Sequence, residues 1–180
     1  MQNMVPFAFL YTGDQNPVFP IAHNMKYSRL TKEQLEELQP EFINFLATQS
    51  ITAQEWAGIK EKRPEVAQEE LDVFSDLIWE GVLSKVEYLE NISQLHMHLF
   101  HLAEKEMKLF SVKVLNPAID LQTKEGFGWF KRNFQSDFVE YLAASKAYGA
   151  DRNLDKFELI RQGAVITKGE LFQWFEQIME

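Results

Sequence analysis

The chain has 180 residues, 46% of them apolar and 13% aromatic, enough to bury the core of one globular domain and too apolar for a disordered segment. Its formal net charge of −9 argues against a nucleic-acid or anionic-membrane surface, because phosphate contacts need clustered Lys and Arg. Cysteine is absent, which excludes disulfides, thiolate zinc sites and cysteine nucleophiles and is compatible with a cytoplasmic location.

Residues 1–24 stand apart, with no Lys or Arg, a single acid at Asp14, and three of the six prolines. They lack the basic start and the longer apolar stretch of a secretory signal. They read either as an extended N-terminal arm or as an extension upstream of a natural start at Met25, leaving residues 25–180 as a single helical domain. No apolar run approaches the length of a membrane span, so no membrane partner is expected. The small basic groups Lys60, Lys62 and Arg63, and Lys131 with Arg132, sit beside acids and read as solvated helix faces, so no nucleic-acid partner is expected either.

From Leu30 onward a helix-start pattern recurs. Thr31 with Gln34, Thr52 with Glu55, Ser84 with Glu87, and Thr167 with Glu170 each place a hydroxyl three residues before Glu or Gln, between apolar flanks. This is the capping box with its hydrophobic staple, and it predicts helix starts near 32, 53, 85 and 168. Pro40 and Pro64 suit the first turn of a helix, so the predicted helices run over 32–38, 40–48, 53–62 and 65–80.

The stretch 71–92 reads as the organising centre. Leu71, Phe74, Ile78, Val82 and Leu89 fall on one side of a helix. Gly81 is expected to end a first helix and Ser84 with Glu87 to open a second, giving a helical hairpin. ELIRQGAVITKGE (158–170) repeats that order of residues and predicts a similar corner. At Gly81, Leu83, Ser84 and Glu87, residues 76–92 resemble the short C-terminal helical-hairpin domain of many bacterial proteins, which implies a packing or association role. Asp72, Asp76 and Glu80 read as a solvated face. A carboxylate-bridged metal site would need Glu-x-x-His pairs, and the chain has none.

After Ile92 the apolar period shortens to two. Leu95, Met97 and Leu99 alternate with His96, His98 and Phe100, and after the polar AEKE the segment 107–115 alternates again, predicting a β-hairpin closed by Asn116-Pro117. The remainder predicts helices over about 124–134, 137–147, 154–162 and 168–179, with Asp151 or Asn153 capping the third. GFGWF (126–130) lacks the Lys-Ser/Thr and the preceding strand of a phosphate loop. The expected fold class is mainly α (α+β): a compact multi-helix domain with one central β-hairpin.

One polar constellation has metal-ligand character. On a strand His96 and His98 share a face, whereas His101 has the opposite parity; on a helix His98 and His101 would meet and His96 would leave them. No regular conformation gathers all three, so the favoured reading is a polar sheet face without metal. Among the aromatics Phe127, Trp129, Phe130, Phe134, Phe138 and Tyr141, most are expected in the core, and one or two left exposed would mark an interface.

From MKYSRLTKEQLEEL to its end the chain resembles an uncharacterised family of small bacterial proteins, a resemblance that implies no activity, cofactor or site residue. The expected function is therefore a small acidic cytoplasmic module, without catalytic activity or cofactor, that binds another protein or itself through apolar helix surface. The alternative is a small metal-dependent enzyme using His96 and His98 with an acid from elsewhere.

Overall fold

The computed structural model describes residues 25–179, so the arm expected over 1–24 lies outside the described residues. Along the chain run α1 (Lys32–Glu37), α2 (Gln39–Thr48), α3 (Ala53–Lys62) and α4 (Pro64–Leu83), then β1 (Tyr88–Ile92), β2 (His96–Leu102) and β3 (Glu106–Val114). They are followed by α5 (Lys124–Asn133), β4 (Val139–Ala147), α6 (Arg152–Arg161), β5 (Val165–Thr167) and α7 (Glu170–Met179). The strands form a single antiparallel sheet in the order β4-β3-β2-β1-β5. The expectation of a mainly helical domain with one hairpin is thereby corrected: the hairpin β2–β3 exists, but it is the middle of a five-stranded sheet.

Two stretches read as helix, and a third that lay between two expected helices, belong to that sheet. The segment after Ser84 is a turn leading into β1, so the corner at 81–87 is helix-to-strand and the helical-hairpin resemblance fails there. Gly81 lies inside α4, and Ser84 donates back to the Gly81 carbonyl at 2.9 Å instead of capping a new helix. Residues 139–147 are β4, and β5 interrupts the second expected corner. There Gly163, at φ +96°, does end α6: its N–H reaches the Ile160 carbonyl and the Ala164 N–H the Leu159 carbonyl, a Schellman closure. Of the four expected capping boxes, those at Thr31 and Thr52 form in full. Asp151 caps α6 through the Leu154 N–H.

Alternation sorts the strands into two faces. Met97, Leu99, Val112, Val114 and Val139 point to one side, where Phe130 of α5 and Phe172 and Phe175 of α7 complete the largest core. Among the described residues the other side is covered only toward β1. There Leu89 and Leu102 pack with Val86, Ala164, Leu159 and Ile160 around α6, and Leu83, Tyr27 and Phe157 continue this core toward α4. Beyond α4, Phe42 of α2 meets Trp56 of α3 and Phe74 of α4 edge-on, and Phe45 tilts against Phe74.

The acids Asp72, Asp76 and Glu80 hold a neighbouring stretch of chain, although the Glu80 side chain stays 49% exposed. Asp76 accepts the backbone N–H groups of Lys26 and Tyr27 at 2.7 and 2.9 Å, and Asp72 accepts Arg29 Nε. Glu80 accepts Lys26 Nζ at 2.9 Å, Asn153 Nδ2 at 2.7 Å and the Tyr27 hydroxyl. Ser75 and Trp79 add bonds to Leu30 and Ser28, so residues 26–30 are tied along α4. Burial would raise the Glu80 carboxyl, but its hydrogen bonds from Tyr27, Lys26 and Asn153 outweigh that and hold it below its ordinary 4.5. Lys26 likewise holds Asp151 below its ordinary 3.8. Carboxyls lowered in the fold stabilise it above their unfolded pKa, and the contribution is lost as pH falls through the folded one. Urea titrations followed by Trp fluorescence should therefore show stability falling below about pH 4.5, more steeply in wild type than in Glu80→Gln. Parallel profiles for the two proteins would refute the assignment.

Candidate functional site

The half of the second sheet face that no described helix covers, toward β3 and β4, is the candidate site. Its rows are set by register: His96 lies beside Lys113, which lies beside Glu140, and His98 lies beside Ser111, which lies beside Leu142. All six side chains share one face by strand parity. Leu115 and Phe138 extend the same face past the ends of β3 and β4, joined by the Leu115 N–H to the Phe138 carbonyl at 2.8 Å.

His96 and His98 do come together, their rings near parallel with centroids 6.1 Å apart. His101 departs to the opposite face, as strand parity requires. It stacks on Tyr88 at 4.7 Å and meets Phe172 edge-on at 5.4 Å, an aromatic packing role that leaves its Nδ1 without a hydrogen-bond partner among the described residues. His98 Nδ1 and Ser111 Oγ are 3.0 Å apart. Burial lowers the His98 imidazole below its ordinary 6.5 and the adjacent His96 adds to this, so His98 is neutral at pH 7. The carboxylate in the His96 row, Glu140, is drawn to Lys113 at 3.4 Å. Among the described residues no group of three or more His, Asp or Glu is placed to hold a metal ion.

What the surface does offer is apolar area and, among the described residues, unpaired backbone. Phe138 and Leu142 are 59% and 60% exposed, and Leu115 is also exposed. Of the aromatics singled out in the sequence, Phe130 is buried and Phe127, Trp129, Phe134 and Tyr141 pack against the main core, so Phe138 is the one left in solvent. Beside it runs β4, an edge strand nine residues long in which 142–147 are all exposed. The Leu115–Phe138 bond fixes which β4 residues face β3. By the alternation of an antiparallel ladder, the N–H and C=O groups of Tyr141, Ala143 and Ser145 point away from the sheet, and no described strand lies beside them. Sequence reading missed this edge because it took 137–147 for a helix; the clue available was the exposed-aromatic argument that included Phe138.

The described residues define a mixed α/β domain in which no described strand pairs with the outer edge of β4, and no helix among them is long and apolar enough to cross a membrane. The chain belongs to a family of unknown function (DUF6495), whose model matches residues 25–180. No curated protein and no solved structure matches the chain.

Proposed function

We propose that the protein is an interaction module of the cytoplasm that joins another chain through the β4 edge of its sheet, without catalysing a reaction. One observation carries the reading. β4 is long, carries exposed small side chains between Glu140 and Lys146, and has no proline and outward backbone groups that no described strand pairs with; folded proteins ordinarily blunt such an edge with bulges, prolines, charges or short strands, and of these β4 has the charges. A strand added there gains main-chain hydrogen bonds, and Phe138 and Leu142 offer apolar area beside it. The partner surface is thus a sheet edge rather than the apolar helix face expected from the sequence, since the exposed apolar helix residues Ile43, Leu77, Val82 and Ile178 are spread over three helices.

The test is native mass spectrometry of the full chain isolated gently from its own cells, as wild type and as Ala143→Pro. Proline removes the outward N–H of an edge strand while leaving the inward ladder in place. Wild type should carry a second chain, itself or another protein, and Ala143→Pro should lose it with an unchanged far-UV circular dichroism spectrum. Retention of the assembly by Ala143→Pro would overturn the reading. So would a lone chain carrying a stoichiometric metal that His96→Ala/His98→Ala abolishes.

A further inference from the structure

We infer that the occupant of the β4 edge is a second copy of this chain, docked antiparallel across a two-fold axis at Ala143. The inference rests on the interaction reading above and deepens it by naming the partner. Charge and backbone groups are complementary within one strand, VEYLAASKA over 139–147. Two copies of β4 paired about Ala143 set Glu140 of each opposite Lys146 of the other, on the same face of the joined sheet. Of all two-fold registers of this strand, that one alone puts the two charges opposite each other.

The rest of the register agrees. Tyr141, Ala143 and Ser145 carry the outward N–H and C=O groups, and in this register Tyr141 meets the second copy's Ser145 while Ala143 meets its own equivalent. Outward groups therefore face outward groups, and each such pair can exchange both hydrogen bonds. Glu140 and Lys146 then fall at the alternate, non-hydrogen-bonded positions, where opposed side chains approach more closely. Leu142 of one copy faces Ala144 of the other, a large residue against a small one, and shields exposed apolar surface. The contact is isologous, closes after two copies and consumes the free edge of both sheets. It leaves only the short β5, three residues, as an outer edge.

Sedimentation equilibrium on the full chain, with amide hydrogen exchange, tests this through two charge variants. Glu140→Lys sets Lys against Lys twice across the axis, and Lys146→Glu sets Glu against Glu twice. Each alone should weaken self-association by about tenfold or more, since opposed like charges destabilise a strand pair. Mixed in equal amounts, the two variants should associate as a heterodimer with affinity near wild type, because every opposed pair is again of opposite sign. In the dimer the Ala143 and Ser145 amides should exchange slowly.

Dimerisation insensitive to both charge variants would overturn the register while leaving the module reading standing if Ala143→Pro still abolished it. A full chain that is monomeric, with the Ala143 amide protected, would overturn the second copy as occupant in favour of residues 1–24 of the same chain. A monomer whose Ala143 amide exchanges freely, and whose Ala143→Pro variant keeps every partner found in cells, would overturn both readings.

Discussion

Replacing Lys156 by methionine is expected to destabilise the protein by on the order of 3 kcal/mol, measured by urea denaturation at pH 7. Lys156 is fully buried, and its ammonium donates to the carbonyls of Leu83 and Val86, both at 2.7 Å. Leu83 is the last residue of α4, where helix carbonyls lose their intrahelical partners. A cation there also complements the negative end of the helix. Methionine keeps the apolar stem and removes the donor, leaving two carbonyls facing a buried side chain that cannot satisfy them. Removing the buried ammonium also relieves a desolvation cost. The orphaned carbonyls outweigh this relief because hydrogen bonds from a charged donor are among the stronger ones. The turn between α4 and β1 is tied by this side chain, so the loss should spread: amides of β1 should exchange faster in Lys156→Met, whereas those of α2 should not.

The same residue gives a pH signature with a definite sign. Burial, with the nearby Arg152 charge, pushes the Lys156 ammonium down to about 8 from its ordinary 10.5, against the pull of Glu87. The unfolded chain therefore holds this proton more tightly than the folded one. Below about pH 8 both states carry it, and between there and 10.5 unfolding takes up a proton, so the Lys156 contribution to stability rises with pH. The slope is at most about 1.4 kcal/mol per pH unit. Wild-type stability should accordingly gain on Lys156→Met as the buffer goes from pH 8 to pH 9.5. A gap between the two proteins that is constant over this range would show that the ammonium does not titrate there.

Nine of the twelve described elements, the seven helices and the hairpin strands β2 and β3, were legible in the sequence because the signal was local. Capping boxes at Thr31 and Thr52 satisfy helix-end N–H groups within four residues, and α1 and α3 begin where they predict. Prolines at 40 and 64 mark first turns for the same local reason. The hairpin followed from strict alternation around Met97 and Leu99. The other strands were illegible because their signal is not local. β4 is built from Leu, Ala and Lys, good helix formers, and becomes a strand only because it pairs along all nine residues of β3. In β1 the run VEYLENI carries an alternation that a capping-box match at Ser84 obscured; the pairing of Leu89 with Phe100 and Ile166 decides it. The parity of the three histidines was legible, since it depends only on a strand being a strand. That Phe138 and Leu142 stay in solvent was not, because exposure depends on which helices cover which half of the sheet.

The connection between β5 and α7 carries the second large effect. Gly169 has φ +77°, and a Cβ added there would run into the ring of Tyr88, whose Cα partner across the sheet is Thr167. The ring has little freedom to yield, because it stacks on His101 and meets Phe172 of the main core. Alanine at this position combines two penalties: about 1–2 kcal/mol for holding a Cβ-bearing residue in the left-handed region, and about 1–3 kcal/mol for the overpacked contact. Gly169→Ala should therefore lose about 2–5 kcal/mol in urea denaturation. A double-mutant cycle separates the two terms. In a Tyr88→Ala background the ring is gone and only the backbone term remains, so the cost of Gly169→Ala should fall to about 1–2 kcal/mol. An equal cost in both backgrounds would mean that the ring does not constrain the turn. The arrival of α7 at the sheet would then be set by the Phe172 and Phe175 packing alone. A reduced cost would show that one glycine, lying against one ring, sets where the helix that closes the main core begins.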